Sequence, residues 1–358
     1  MKKHYLRLLS SVIFFFLFVG FAKTLTASDK EKTFTVSKGD KLEVLISNGN
    51  VSIVTWEKDQ AYIKAVNIDE SDLNKLKIEQ IKNKIVVDFK GKESDDFYIE
   101  VSIPVQFNLD LSSGGGNISA KGNILGKVEL STGGGNINFN DVGDKLSAYT
   151  GGGDIILGNL SGESEVSTGG GNIKMKEAKN KIKVSSGGGE ISIGAVGSLS
   201  EISTGGGNIA IGKASGNVEI STGGGNIKLD GANGKVKTST GGGNISLKNI
   251  IGSIEASTGS GNIDVDLDPQ TGSKSDLNTG SGNITLYISN EIKTTIHATF
   301  PVGNSTDKKN LALHINSFDY TDQDANGNDG NATITLNGGG DSKIDLDVAK
   351  GEIFIKNK

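Results

Sequence analysis

Residues 203–209 read STGGGNI, and the same seven residues start again at Ser131, Ser167, Ser221 and Ser239. Three glycines followed by an amide can cradle a phosphate, hold calcium or turn a corner. A nucleotide loop needs GK[ST] after its glycines, or a strand-to-helix context. Here an isoleucine follows each time, and one nucleotide site would not need ten copies. Calcium-binding β-repeats rely on aspartate oxygens. The residue after the glycines is instead Asn117, Asn136, Asp154, Asn172, Glu190, Asn208, Asn226, Asn244, Asn262 and Asn283, with asparagine at eight of ten positions. The motif therefore reads as a structural corner. Stacked one above another, these ten side chains form a ladder in which amides donate and accept. On this reading the glycines supply positive φ and close backbone approach, and Ser and Thr of the ST pair form a second ladder.

The spacing supports this. Successive positions lie 19 residues apart, then seven times 18, then 21. Each repeat carries two short alternating segments, such as NIKM at 172 and KIKV ending at Val184, joined by a glycine-containing loop such as DGANG at 230. Apolar side chains at every second position mark strands with one buried face. The expected fold is all-β: a parallel β-solenoid in which each repeat is one coil of about 18 residues, ten coils spanning roughly 45 to 50 Å. A left-handed hexapeptide helix has the same coil length but needs three equivalent hexads. A propeller needs longer repeats.

The flanks differ from the array. Residues 1–28 comprise a basic start, the apolar run LLSSVIFFFLFVGFA and small residues suited to cleavage, as in a signal peptide cut between residues 22 and 28. Residues 29–110 and 288–358 read as β-rich capping regions around the array at 111–287. Once residues 1–28 are removed, 33 lysines face 42 acids, a net charge of −9, and no arginine remains. That composition argues against nucleic-acid binding. The chain has no cysteine, which excludes disulfides and a lipidated cysteine, and no second apolar span suggests a mature transmembrane segment.

Little catalytic equipment is visible, and the expectation is a non-enzymatic chain without a cofactor or metal. After the leader only His297 and His314 remain, and no G-x-S-x-G elbow occurs. The outward position after each isoleucine reads Ser119, Asn138, Ile156, Lys174, Ser192, Ala210, Lys228, Ser246, Asp264 and Thr285, never two acids in neighbouring coils. Sugar stacking would need exposed aromatics, and the array is read as having none. Asp322, Asp324, Asn326 and Gly327 match the opening of a calcium loop, but position twelve is Thr333 rather than glutamate. A solvated loop is the simpler reading there.

Three stretches together carry a family resemblance: GNVSIVTWEKDQAYIKAV (49–66), YIEVSIPVQFNLDLSSGGGNISA (98–120) and LNGGGDSKIDLDVAKGEIFIK (336–356), with serial G-[ND]-I coils between. In that order they resemble the bacterial cell-envelope family named "putative adhesin", related to head-domain adhesins with a Gly-Ile-Asn signature. The resemblance spans residues 33–358. It implies an exported, non-enzymatic, single-stranded and right-handed parallel β-helix that is periplasmic, cell-surface or secreted. Its partner would be an envelope or extracellular ligand, either a polysaccharide or a protein. The unusually regular GGG corners depart from that pattern, and the resemblance assigns no functional residues. A carbohydrate-active β-helix enzyme and a structural or envelope-stress interaction partner are the alternatives.

Overall fold

The computed structural model describes residues 27–91, 96–301, 313–316, 320–322 and 330–358. Strand accounts for 63% and helix for 2% of the described residues, so the structure is all-β, as the period-2 alternation requires. The strands stack in the manner of a solenoid. Ile155–Leu160 pairs in parallel with Ile173–Ala178, which pairs with Ile191–Val196, which pairs with Ile209–Ala214. The strands before the glycines stack likewise, with Val128, Leu146, Ser164 and Ile182 in one register column. Each such pair of strands is one rung.

Register puts like residues above like. Ile137, Ile155, Ile173, Ile191, Ile209, Ile227, Ile245 and Ile263 form one buried column, each 1% exposed or less. The segment read as a simple joining loop supplies another. Ile124, Val142, Leu160, Ala178, Val196, Ala214, Ala232 and Ile250 are all buried and bridge from rung to rung. With one apolar residue per coil, this segment lacks the period-2 alternation that marks a strand, and its column shows only as a recurrence every 18 residues. It matters energetically, because a single rung cannot shield its apolar face and depends on its neighbours.

At both ends the rung order departs from the chain order. Lys41–Ile46 and Asn50–Trp56 lie between Lys84–Phe89 with Tyr98–Pro104 on one side and Asn108–Ser113 with Ile118–Lys121 on the other. At the opposite end, Ser342–Val348 and Ile353–Asn357 insert between Lys274–Thr279 with Ile284–Ile288 and the outer pair Thr294–Thr299 with Leu313–Asn316. Antiparallel strands then flank the ends: Gln60–Asp69 on Tyr98–Pro104, Leu76–Ile81 on Lys84–Phe89, and Asn331–Leu336 on Thr294–Thr299. Such additions blunt the open edges on which further chains would pair. The region boundary read at 110/111 falls inside the strand Asn108–Ser113, which already belongs to the stack.

Two further readings meet the structure here. The leader at 1–28 lies outside the described residues except for Ala27 and Ser28, the first two backbone positions of the strand Ala27–Thr35. Of the calcium-loop match, Asp324, Asn326 and Gly327 lie outside the described residues, and Asp322 ends the short strand Tyr320–Asp322.

Candidate functional site

The glycine corner is built from three interactions. First, the buried hydroxyl before the triplet reaches back one rung. Thr168, Thr204, Thr222 and Thr240 donate to the carbonyls of Gly153, Gly189, Gly207 and Gly225 at 2.8 Å. Thr168, Thr222 and Thr240 also accept from the third glycine of their own triplet at 3.1 to 3.3 Å. Second, the first and third glycines of each triplet press against the preceding rung. A Cβ on Gly205 or Gly207 would stand 2.1 Å from the carbonyl oxygen of Gly187 or Gly189. Third, the middle glycine faces solvent, and a Cβ on Gly206 would meet nothing within 4 Å.

The expectation of positive φ holds at the last corner, where Gly282 has φ +151°, and is corrected at the others. No glycine in the triplets from Gly133 to Gly261 adopts it; the triplet is there for backbone proximity. The middle position is already serine at Ser260 and Ser281.

The ten ladder positions stack through backbone more than through amide–amide bonds. Asn136, Asp154, Asn172 and Glu190 each donate the backbone N–H to the side-chain oxygen of Asn117, Asn136, Asp154 and Asn172, at 2.7 to 2.8 Å. The pattern resumes with Asn226 on Asn208, Asn244 on Asn226, Asn262 on Asn244 and Asn283 on Asn262, all at 2.8 Å. The role asks only for a short acceptor, which is why Asp154 serves as well as asparagine. Glu190 is one methylene longer, and its Oε1 accepts from Asn208 Nδ2 instead. The ladder also reaches residues outside the GGG repeats. Asn117 donates to Asn50 Oδ1, and Glu352 to Asn283 Oδ1. The threonine hydroxyls and the ladder side-chain oxygens are thus committed to neighbouring rungs, which leaves the remaining amide nitrogens and serine hydroxyls on the outer surface.

Chemistry is therefore confined to the outer side chains. After the isoleucines, nine of the ten positions read as outward are exposed or half-buried; Thr285, at 8%, is covered, with Phe354 as its register partner. The face before the glycines holds what the sequence reading missed. There, register sets Asp110 beside Glu129, Glu201 beside Glu219, and Glu255 beside Asp276.

Concavities on the outer surface of the described residues include three that hold charged side chains. One, of about 320 Å³, is lined by Glu201, Glu219, Lys181, Lys235, Lys237 and the exposed Leu199. Its charges satisfy one another: Lys181 pairs with Glu201 at 3.4 Å, Lys237 with Glu219 at 3.1 Å, and Lys235 with Glu255 at 3.1 Å. The hydrogen bond that Lys237 donates to Glu219, reinforced by the charges of Glu219 and Glu255, holds its ammonium above its ordinary pKa. A second concavity, about 450 Å³, contains Asp266 and Tyr287. There Lys358 spans Asp266 and Asp268, and the Lys356 ammonium stands 5.7 Å from the Tyr287 ring centre.

The third differs. It measures about 370 Å³ and contains Tyr149, Glu129, Glu165, Lys127, Lys145 and Ser147. Tyr149 is 51% exposed, which corrects the reading that the array presents no aromatic. Asp110 at its margin is taken by Lys41 at 2.7 Å, and that hydrogen bond raises the Lys41 pKa against the opposing effect of burial. Among the described residues, Glu129, Glu165, Lys127 and Lys145 make no side-chain hydrogen bond or ion pair. No three His, Cys, Asp or Glu side chains among the described residues are grouped to hold a metal.

No family model and no curated protein matches the chain. Solved structures that align with it include a "putative lipid binding protein" from Parabacteroides distasonis, 19% identical over 72% of this chain and 96% of that one, with a TM-score of 0.29. A "putative adhesin" from the same organism is 12% identical over 73% and 97%, with a TM-score of 0.31. A "putative cell adhesion protein" from Clostridium sporogenes is 14% identical over 92% and 100%, with a TM-score of 0.20. Each is similar to this chain at a level too loose to assign it a family.

Proposed function

We propose that the chain is an exported, non-enzymatic binding module of the adhesin kind, which engages an envelope or extracellular ligand through its outer face. In this reading the fold is a single-stranded parallel β-helix, right-handed like most parallel β crossovers, with one coil per repeat of about 18 residues. Residues 1–28 direct export, and the caps at 29–110 and 288–358 close the stack. The observation that carries the binding role is the contrast between corner and face. The repeat motif commits its threonine hydroxyls and ladder side-chain oxygens to neighbouring rungs, whereas the Tyr149 concavity keeps two carboxylates and two ammoniums without a side-chain hydrogen bond or ion pair. The family resemblance of the G-[ND]-I coils points the same way.

A membrane-impermeant amine label tests this on intact cells, since the lysine-rich chain offers many targets. Labelling of intact cells is expected; labelling only after lysis would contradict an adhesive role. A second reading, a carbohydrate-active enzyme, draws on the neighbouring carboxylates Glu201 and Glu219 in their concavity. Glycan turnover abolished by Glu219→Gln would favour it.

A further inference from the structure

The column that contains Tyr149 is an internal control. Its register partners are Ser131 and Ser167, and the column continues through Ser185, Ser203, Ser221, Ser239 and Ser257. Tyr149 is the one aromatic among these hydroxyls. It packs into no core, being half exposed, and its small neighbours above and below leave the ring faces open. Stability gains little from a large ring placed in water, so the departure calls for another account.

The surroundings narrow the ligand. Register sets Glu129 and Glu165 on either side of Ser147, two rungs apart, or roughly 10 Å at the inter-strand spacing. Lys127 and Lys145 line the same hollow. Two free carboxylates balance two free ammoniums, and Asp110 is already neutralised by Lys41. The hollow therefore offers charge-assisted donors and acceptors without a net charge to attract an ion. Beside them stands one amphipathic ring with an apolar face. A protein partner would want an apolar anchor cluster that excludes water, and here a single ring stands among hydroxyls and charges.

We infer that this hollow is a glycan subsite in which the C–H face of a neutral pyranose stacks on Tyr149. The sugar hydroxyls bond to Glu129, Glu165, Lys127, Lys145 and Ser147. The inference rests on the reading of the chain as a binding module and names its ligand class. With side-chain groups supplied by three successive rungs, the hollow accepts a sugar within a chain running along the stack.

The test titrates the full mature chain by calorimetry with four soluble hexasaccharides: α-1,4-glucan, β-1,4-glucan, β-1,3-glucan and β-1,4-mannan. At least one is expected to bind. Tyr149→Ser, which restores the residue of its column, should weaken that binding about tenfold or more with an unchanged melting temperature. Tyr149→Phe should stay within about threefold, because stacking needs the ring rather than the hydroxyl. Absence of saturation by all four glycans up to about 10 mM overturns the subsite, as does equal binding by Tyr149→Ser. A chain that binds none of them yet labels on intact cells loses the sugar site and keeps the binding-module reading. Labelling only after lysis removes the adhesive role and leaves the sugar site to be decided by the titration.

Discussion

The Thr222 hydroxyl donates to the carbonyl oxygen of Gly207 at 2.8 Å and accepts from the Gly225 N–H at 3.3 Å, so one buried side chain joins two consecutive corners. Two residues before the next such hydroxyl, Thr240, stands Thr238, whose Oγ1 is buried with no hydrogen-bond partner among the described residues. Thr222→Val should cost about 1–3 kcal/mol by stranding a buried carbonyl and amide, whereas Thr238→Val should be neutral or stabilising by up to about 1 kcal/mol. Urea denaturation of the pair checks this. Equal losses would mean that the hydroxyl assignments are wrong.

Inside and outside are separated by one residue along each strand. Ile209 is 1% exposed, while Lys228 points to solvent and reaches only Asp230, at 3.1 Å. Ile209→Asp should destabilise by more than about 4 kcal/mol, since it buries a charge without a partner. Lys228→Ser should stay within about 0.5 kcal/mol, as an exposed ion pair contributes little. Thermal melts that coincide would refute the facing of the strands.

Asn172 donates its N–H to Asp154 and accepts from Glu190 N–H, so it stands between two acids. Asn172→Asp keeps the acceptor and places three carboxylates on successive rungs about 4.8 Å apart. A cost of about 0.5–1 kcal/mol at low salt is expected. Near 1 M salt, where screening acts within about 3 Å, it should largely vanish. The neighbouring negative charges raise the new carboxyl's folded-state pKa above its unfolded value. The penalty is therefore full at neutral pH and fades as pH falls through the carboxylate range. Denaturation across salt and pH measures it; a cost indifferent to both would point to lost hydrogen bonding instead.

The all-β class, the stacked Ile column and the positions of the ten corner residues could be read from the sequence because one register repeats them. Where one residue acts alone, pattern reading fails. Ile124 and Val142 build a side of the core with one residue per coil, 18 apart but without the local alternation that marks a strand. Asn50 and Glu352 extend the ladder, yet GGG precedes neither of them. The interleaved end rungs depend on pairings such as Leu42 with Leu109 and Thr285 with Phe354, which local spacing does not encode. Acid neighbours such as Glu201 and Glu219 stand on the strand before the glycines, in a column where acids, lysines and a serine follow one another in no fixed order. Tyr149 escaped because a single ring is a departure from the repeat rather than part of it.

Central to the account is that the glycine triplet serves backbone contact between rungs and not a ligand. Gly206 and Gly207 separate the two ideas. A Cβ on Gly206 meets nothing within 4 Å, and its φ lies outside the left-handed region, whereas a Cβ on Gly207 would stand 2.1 Å from the Gly189 carbonyl oxygen. The most direct measurement is the unfolding free energy of Gly206→Ala and Gly207→Ala, compared with the unaltered chain. The account predicts a change within about 1 kcal/mol for the first and a loss of more than about 3 kcal/mol for the second. Equal losses, or a larger loss at Gly206, would contradict it.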